Sequence, residues 1–282
     1  MAMQETSAPR IPLKVIEPRT RFDPFLEIGD IWHHRELLYL LAWRDYKVRY
    51  RQTIIGIAWA IFQPVVAMLA FVFIFGRFGG MTNNVIPYAL FVYSGLVIWQ
   101  FFSNSINEAS TSLVVSSQMI TKIYFPRIIV PLAKIVTQSI DLAISLVILV
   151  GLMIYFHVFP SNISILLIIP ILLLLGIVSA SIGIFLSAFN VKYRDVQYAL
   201  PFFIQLGLFL SPVIYAGTSL GKYQFLLNLN PITGIIEAFR SSIFSLPFST
   251  TPIILSLLIT LLLFIWSMYY FSKSEGAFSD VI

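Results

Sequence analysis

No cysteine occurs among the 282 residues, which excludes disulfides, thiolate metal sites and a cysteine nucleophile. Histidine is almost as scarce. Three stand at 33, 34 and 157, without the spacing of a metal set, and they read as interfacial side chains rather than ligands. Charged residues make up 11% of the chain, too few to coat a soluble globule. No GxxxxGK[ST] stretch exists to cradle a nucleotide, and neither HExxH nor a DxD pair is present. The sequence therefore offers no catalytic residue, no metal or cofactor site and no ATPase of its own. The first 50 residues contain no apolar run of signal-peptide length, so we expect an uncleaved amino terminus that stays in the cytosol.

What the chain has in abundance is apolar surface: 58% hydrophobic residues, 15% aromatic, and a mean hydropathy of +0.88. This is the composition of an all-α integral membrane protein. The net charge of +5 is concentrated, since nine of the 18 Lys and Arg lie in residues 1–52. No basic domain stands outside the apolar segments, so nucleic acid is excluded as a partner and membrane lipid is the expected one.

Residues 1–29, with prolines at 9, 12, 18 and 24, read as an extended tether. From Glu36 the pattern changes. Tyr39, Trp43, Tyr46 and Tyr50 fall on one helical stripe, with Arg44, Lys47 and Arg51 beside it. Rings next to cations suit the headgroup layer, so this N-terminal amphipathic helix is expected to lie on the membrane surface. Residues 54–75 carry no charge and form the first of six expected spans. The others run over about 86–106, 132–156, 163–187, 200–216 and 252–271. Pro64 is a candidate kink. The stretch from Glu108 to Pro131 is mixed and interrupted, and reads as a short helix at the cytosolic surface. Residues 217–251 are too apolar for a free loop. Asn230-Pro231 supplies a cap and a first helical residue there, for a short re-entrant helix between spans 5 and 6. Fifteen of the 18 cations then fall on one side, which places both termini in the cytosol. The domains are thus a cytosolic segment 1–52, a membrane domain 53–271 and a cytosolic tail 272–282.

Several residues stand out chemically. Asp141 is the deepest charge, read either as a packing group with a partner in another span or as a proton or substrate site. Glu237 and Arg240, three residues apart, either neutralise each other or gate the outer mouth. Lys47, Arg49 and Arg51 are placed to meet a phosphate headgroup, or simply to anchor the chain by the positive-inside rule. Trp59, Tyr88, Phe91, Tyr93, Trp99, Phe202, Phe203 and Tyr215 are candidate channel aromatics for a sugar polymer, against a plain lipid-facing role.

Arg49-Tyr50-Arg51 with Gly56, Trp59 and Pro64; Tyr124-Phe125-Pro126-Arg127 with Pro131; Asn190 and Tyr193-Arg194-Asp195; Ser211-Pro212-Val213-Ile214-Tyr215; Asn230-Pro231 with Arg240; and Glu275, Phe278 and Asp280-Val281-Ile282 occur in one order along the chain. As a set they resemble the membrane subunit of bacterial ABC exporters for lipid-linked polysaccharides, of the O-antigen, capsule and teichoic acid type. The resemblance implies a homodimer of six-span subunits in the inner membrane, enclosing a channel for undecaprenyl-linked polysaccharide. Two separate ATP-binding-cassette subunits, holding ATP and Mg, would drive it. It further implies that the ring-and-cation helix is a cytosolic gate, with Gly56 in the turn before span 1. Tyr124, Phe125, Pro126 and Arg127 would couple to the ATPase, and Asn230, Pro231, Glu237 and Arg240 would sit at the periplasmic mouth. An ABC permease for a drug or peptide and a gradient-driven secondary transporter are the alternatives.

Overall fold

The computed structural model describes residues 29, 31–51, 58–78, 86–123, 125–160, 163–217, 224–276 and 278. Among them helix dominates and no strand occurs. Helix α1 is Arg35–Arg51 and α2 is Ala58–Phe71, whose last turns widen into a π-helix over Val72–Phe78. Helix α3 is Tyr88–Val115, α4 is the single turn Ser117–Ile120, and α5 is Ile129–Tyr155. A 3-10 turn over Ile163–Leu167 opens α6, Ile168–Lys192. Then follow α7, Val196–Phe209; α8, Gln224–Asn228; α9, Pro231–Phe244; and α10, Thr250–Glu275. Five helical stretches among the described residues are long and apolar enough to cross a membrane: Ala58–Gly76, Tyr88–Val115, Ile129–Tyr155, Ile165–Lys192 and Thr250–Glu275.

Helix α3 is the axis. It is flanked by α5 and α6, with α10 on the far side of α6, and it buries Leu90, Tyr93, Ile98 and Leu113 completely or nearly so. Its length corrects the expectation that the chain leaves the bundle near Asn107. The helix runs on to Val115 because many of its polar residues are small hydroxyls that bond within the helix. Ser103, Ser110 and Ser112 donate to the carbonyls of Gln100, Asn107 and Ala109, three residues back in the same helix. Small side chains also let helices approach closely. A Cβ on Gly183 of α6 would lie 2.8 Å from that of Ala109, and Asn190 of α6 donates to the Ser110 carbonyl at 3.0 Å.

The expected ring-and-cation helix is present as α1. It packs lengthwise on α5 and runs in the same direction: Leu41 and Ala42 cluster with Ile129 and Ala133, Thr137 donates to the Ala42 carbonyl at 3.2 Å, and Arg49 reaches Asp141. Its inner end thus lies roughly three turns along α5.

Helix α7 is shorter than the span expected over 200–216. Its 14 residues rise roughly 21 Å, and the chain then turns through Ser211–Ile214, all buried. The Asn230-Pro231 start is present as read: the Asn230 side chain accepts from the Ile232 N–H at 3.1 Å, with Pro231 as the first residue of α9. Helix α9 crosses α10 at Gly234, where an added Cβ would collide with the Pro252 carbonyl and the Ser256 hydroxyl. Since one contact is backbone, Gly234→Ala is expected to cost about 1–3 kcal/mol. The drop in unfolding temperature in detergent measures it. Gly176→Ala, in open space on α6, is the control expected to hold or slightly raise that temperature.

Candidate functional site

Two side-chain constellations stand at opposite ends of the bundle. At one end gather α1, the last turns of α3, the turn 121–128 and the start of α5. The ring stripe of α1 is a ladder: Tyr39 stacks on Trp43 at 6.3 Å between centroids, Trp43 on Tyr46 at 5.6 Å, and Tyr46 lies 5.0 Å from Tyr50. The outer rungs are exposed, and the Lys47 ammonium sits 5.2 Å from the Trp43 ring. Rings at 4, 3 and 4 residue intervals stack on one helix face because that face advances little per step.

Behind the ladder runs a chain of ion pairs. Asp45 accepts from Arg44 at 2.9 Å and from Lys134 of α5 at 2.7 Å. Arg49 pairs with Asp141 at 2.7 Å and with Glu108 of α3, and the Tyr50 hydroxyl donates to Asp141. Partial burial pushes the Asp45 carboxyl up, but Lys134 and Arg44 outweigh it and leave it below the ordinary range. Burial likewise opposes the Arg49 charge, yet Glu108 and Asp141 make that guanidinium more basic than usual. The Tyr50 phenol is pushed well up by burial and by Asp141, so it remains a donor. Three cations thus face three carboxylates within one cluster.

Asp141 therefore finds its partners on α1 rather than in another span. Lys134, two turns before Asp141 on the same face and too far along the helix to pair with it directly, pairs with Asp45. Asp45 and Glu108 were not singled out from the sequence, although Asp45 and Arg49 stand one turn apart with opposite charge. Of the headgroup candidates, Arg49 is committed to carboxylates, Lys47 and Arg51 are exposed, and Gly56 lies outside the described residues.

The neighbouring turn places Phe125 inside, clustered with Leu113, Phe271 and Phe278, so the apolar side chain it presents outward is Ile123. Arg127 joins this turn to the end of α10. Its side chain donates to the Glu275 carbonyl, its N–H to the Glu275 carboxylate at 3.3 Å, and its guanidinium lies 5.8 Å from the Phe278 ring. Pro126 is half-buried beside it, and Tyr124 lies outside the described residues.

At the opposite end, residues far apart in sequence are tied around Arg240, which is 4% exposed. Instead of pairing with Glu237, its guanidinium donates to the carbonyls of Pro212 at 2.6 Å, Val213 at 2.7 Å and Phe91 at 2.9 Å, and stacks 3.6 Å from the Phe91 ring. Gly95 makes room, since a Cβ there would lie 2.6 Å from the guanidinium and 2.9 Å from the Val213 oxygen. The Asn230 amide donates to the Ser211 hydroxyl at 2.8 Å, the Tyr88 hydroxyl to the Ile214 carbonyl at 2.9 Å, and Tyr215 to the Phe209 carbonyl at 3.0 Å. The Glu237 carboxylate lies against Gly217.

The candidate channel aromatics divide by exposure. Phe91, Tyr93 and Trp99 are buried within the subunit, Tyr93 donating to the Ser145 carbonyl at 3.3 Å. Tyr88 and Tyr215 are half-buried in the Arg240 knot, while Trp59, Phe202 and Phe203 face outward.

A profile of ABC-2 type transporters matches residues 36–244. The chain is 25% identical to the O-antigen export system permease protein RfbA of Klebsiella pneumoniae, over 88% of this chain and 95% of that protein. It is 25% identical to the protein of the same name from Myxococcus xanthus, over 76% and 82%. To the polysialic acid transport protein KpsM of Escherichia coli it is 24% identical, over 71% and 78%.

Proposed function

Since the chain belongs to the ABC-2 type transporter family, we propose that it is the membrane subunit of an ATP-driven exporter for lipid-linked polysaccharide. The observation that carries the reading is the pairing, at one end of a helical bundle, of an exposed ring-and-cation ladder with a turn clamped to the last span. The first suits a sugar chain on a phosphate-bearing lipid. The second suits a motor protein docked from the cytosol. The relatives named for O-antigen export and polysialic acid transport favour a polysaccharide over a drug or peptide.

In this reading residues up to 52 and from 272 are cytosolic, and six spans lie between in the inner membrane. Helix α7 supplies the fifth. It is short for a hydrocarbon core of about 30 Å, and the non-helical Ser211–Tyr215 segment completes the crossing under cover of α9, with its carbonyls satisfied by Arg240 and Tyr88. Helix α9 dips in from the periplasmic side. Helix α7 buries no residue in the single chain and α2 few, which favours a second copy closing a channel against them, with Trp59, Phe202 and Phe203 among its rings. ATP and Mg belong to two partner subunits. Lys47 and Arg51 offer the first contact to the polyprenyl pyrophosphate headgroup.

Reconstitution with the partner ATPase in vesicles tests this directly: lipid-linked polysaccharide is expected to cross only with ATP and both proteins present. ATP hydrolysis by the isolated chain, or labelling of a cysteine at Lys192 from the periplasmic side, would overturn it.

A further inference from the structure

The apolar contact that holds helix α1 to the bundle is confined to its first half: Leu41 and Ala42 are buried against Ile129 and Ala133, with Leu37 and Leu38 partly buried beside them. Two hydrogen bonds add to this, from Thr137 to the Ala42 carbonyl and from Tyr50 to Asp141, and the other ties are ionic, through Asp45 to Lys134 and through Arg49 to Glu108 and Asp141. The cluster balances three cations with three carboxylates, so an arriving anion finds no spare charge in it and can be bound only by displacing a carboxylate. Beside Arg49 lies a cleft of about 230 Å³, bounded by Glu108, Thr111 and Lys134, with room for a phosphate group. Lys47 and Arg51 are exposed close by on the same helix. A guanidinium binds carboxylate and phosphate through the same planar fork, which makes the exchange chemically even.

We propose that Arg49 is a two-state cation: bound to Glu108 and Asp141 it latches α1 against α3 and α5, and bound to a phosphate-type anion it frees α1. The latch rests on the export reading and adds to it the event that would open the entrance: the pyrophosphate of the lipid-linked substrate takes Arg49 from its carboxylates. An anion moves this equilibrium only as far as it prefers the open state; the exchange at Arg49 is even, and the added attraction of the exposed Lys47 and Arg51 supplies that preference.

The chain has no cysteine, so Ala42→Cys with Thr137→Cys, whose parents touch across α1 and α5, gives the only thiol pair. The rate at which this pair cross-links reads closure in the complete exporter in phosphatidylcholine vesicles. Adding polyprenyl pyrophosphate is expected to slow cross-linking at least about fivefold, and not to do so in Arg49→Gln. Joint Glu108→Gln and Asp141→Asn exchange is expected to slow it without any added lipid. Inorganic pyrophosphate in the buffer is a second arm. A response to the lipid form alone makes the bilayer-borne headgroup the trigger, and a response to both makes the anion itself sufficient. An unchanged rate with both probes, or equal slowing by phosphatidylglycerol, overturns the latch. If that happens while the reduced cysteine variant still exports polymer, the export reading stands; if the unmodified complex moves no polymer, the export reading is what fails.

Discussion

Arg240→Met is expected to lower the stability of the subunit by about 3 kcal/mol or more and to abolish export. The methionine fills much of the volume but donates nothing, so the carbonyls of Pro212 and Val213 are left buried without partners, each at a cost of about 1–3 kcal/mol, while that of Phe91 keeps the Ser94 hydroxyl. In a hydrocarbon setting no water replaces the lost donor, and the turn after α7 has no helical bonding to fall back on. Gly95→Ala attacks the same knot from the other side. Its methyl group would press on the guanidinium and on the Val213 carbonyl, and the second of these is backbone that cannot swing away. Each variant is checked by its unfolding temperature in detergent and by ATP-dependent export in vesicles. Because both act on one contact, the double variant is expected to lose less than the two single losses together. Wild-type unfolding and export in Arg240→Met would show that the turn is held by something other than this guanidinium.

This knot also marks where the sequence stopped being legible. Ser211-Pro212, Asn230-Pro231 and Arg240 all stood out as pattern, and Asn230 caps α9 as its chemistry dictates. That Arg240 serves carbonyls of a broken turn rather than Glu237 was out of reach, because the acceptors belong to backbone that is free only where α7 ends early. The ladder on α1 was readable from ring spacing alone, a local property of one helix. The placement of that helix along α5 was not, since a ring-and-cation face is compatible with a headgroup layer and with a bundle flank alike. The polar stretch from Glu108 misled for a related reason. Serine counts as polar in a list of residues, yet in α3 it closes its hydrogen bond on its own helix and packs as a small residue. Apolar runs fixed the long helices because burial in lipid depends on composition; tertiary acceptors depend on partners that no single stretch contains.

Loss of the Arg127 side chain is expected to separate fuel use from delivery. The turn 121–128 does not hang free: Phe125 is packed with Leu113 of α3 and Phe271 of α10, and Arg127 fastens the turn to Glu275 and Phe278. A push from a docked ATPase on Ile123 would therefore reach two elements together, through apolar contact to α3 and through the arginine to the end of α10. Arg127→Ala keeps the buried Phe125 and the turn's own N–H contact to Glu275, so assembly is expected to survive. Removing the side-chain bond and ring contact weakens the tie to the last span, so α10 follows less when the turn moves. Export per ATP hydrolysed is expected to fall about tenfold, equivalent to about 1.4 kcal/mol of lost coupling. Glu275→Gln retains the backbone carbonyl that Arg127 bonds and is expected to fall less. The measurement is polymer delivered against phosphate released, in vesicles holding both proteins. If hydrolysis and export drop in proportion in Arg127→Ala, the arginine serves docking of the partner and the route through α10 is wrong. If hydrolysis persists while delivery fails, the last span moves with the turn, and Arg127 is the residue that makes it do so.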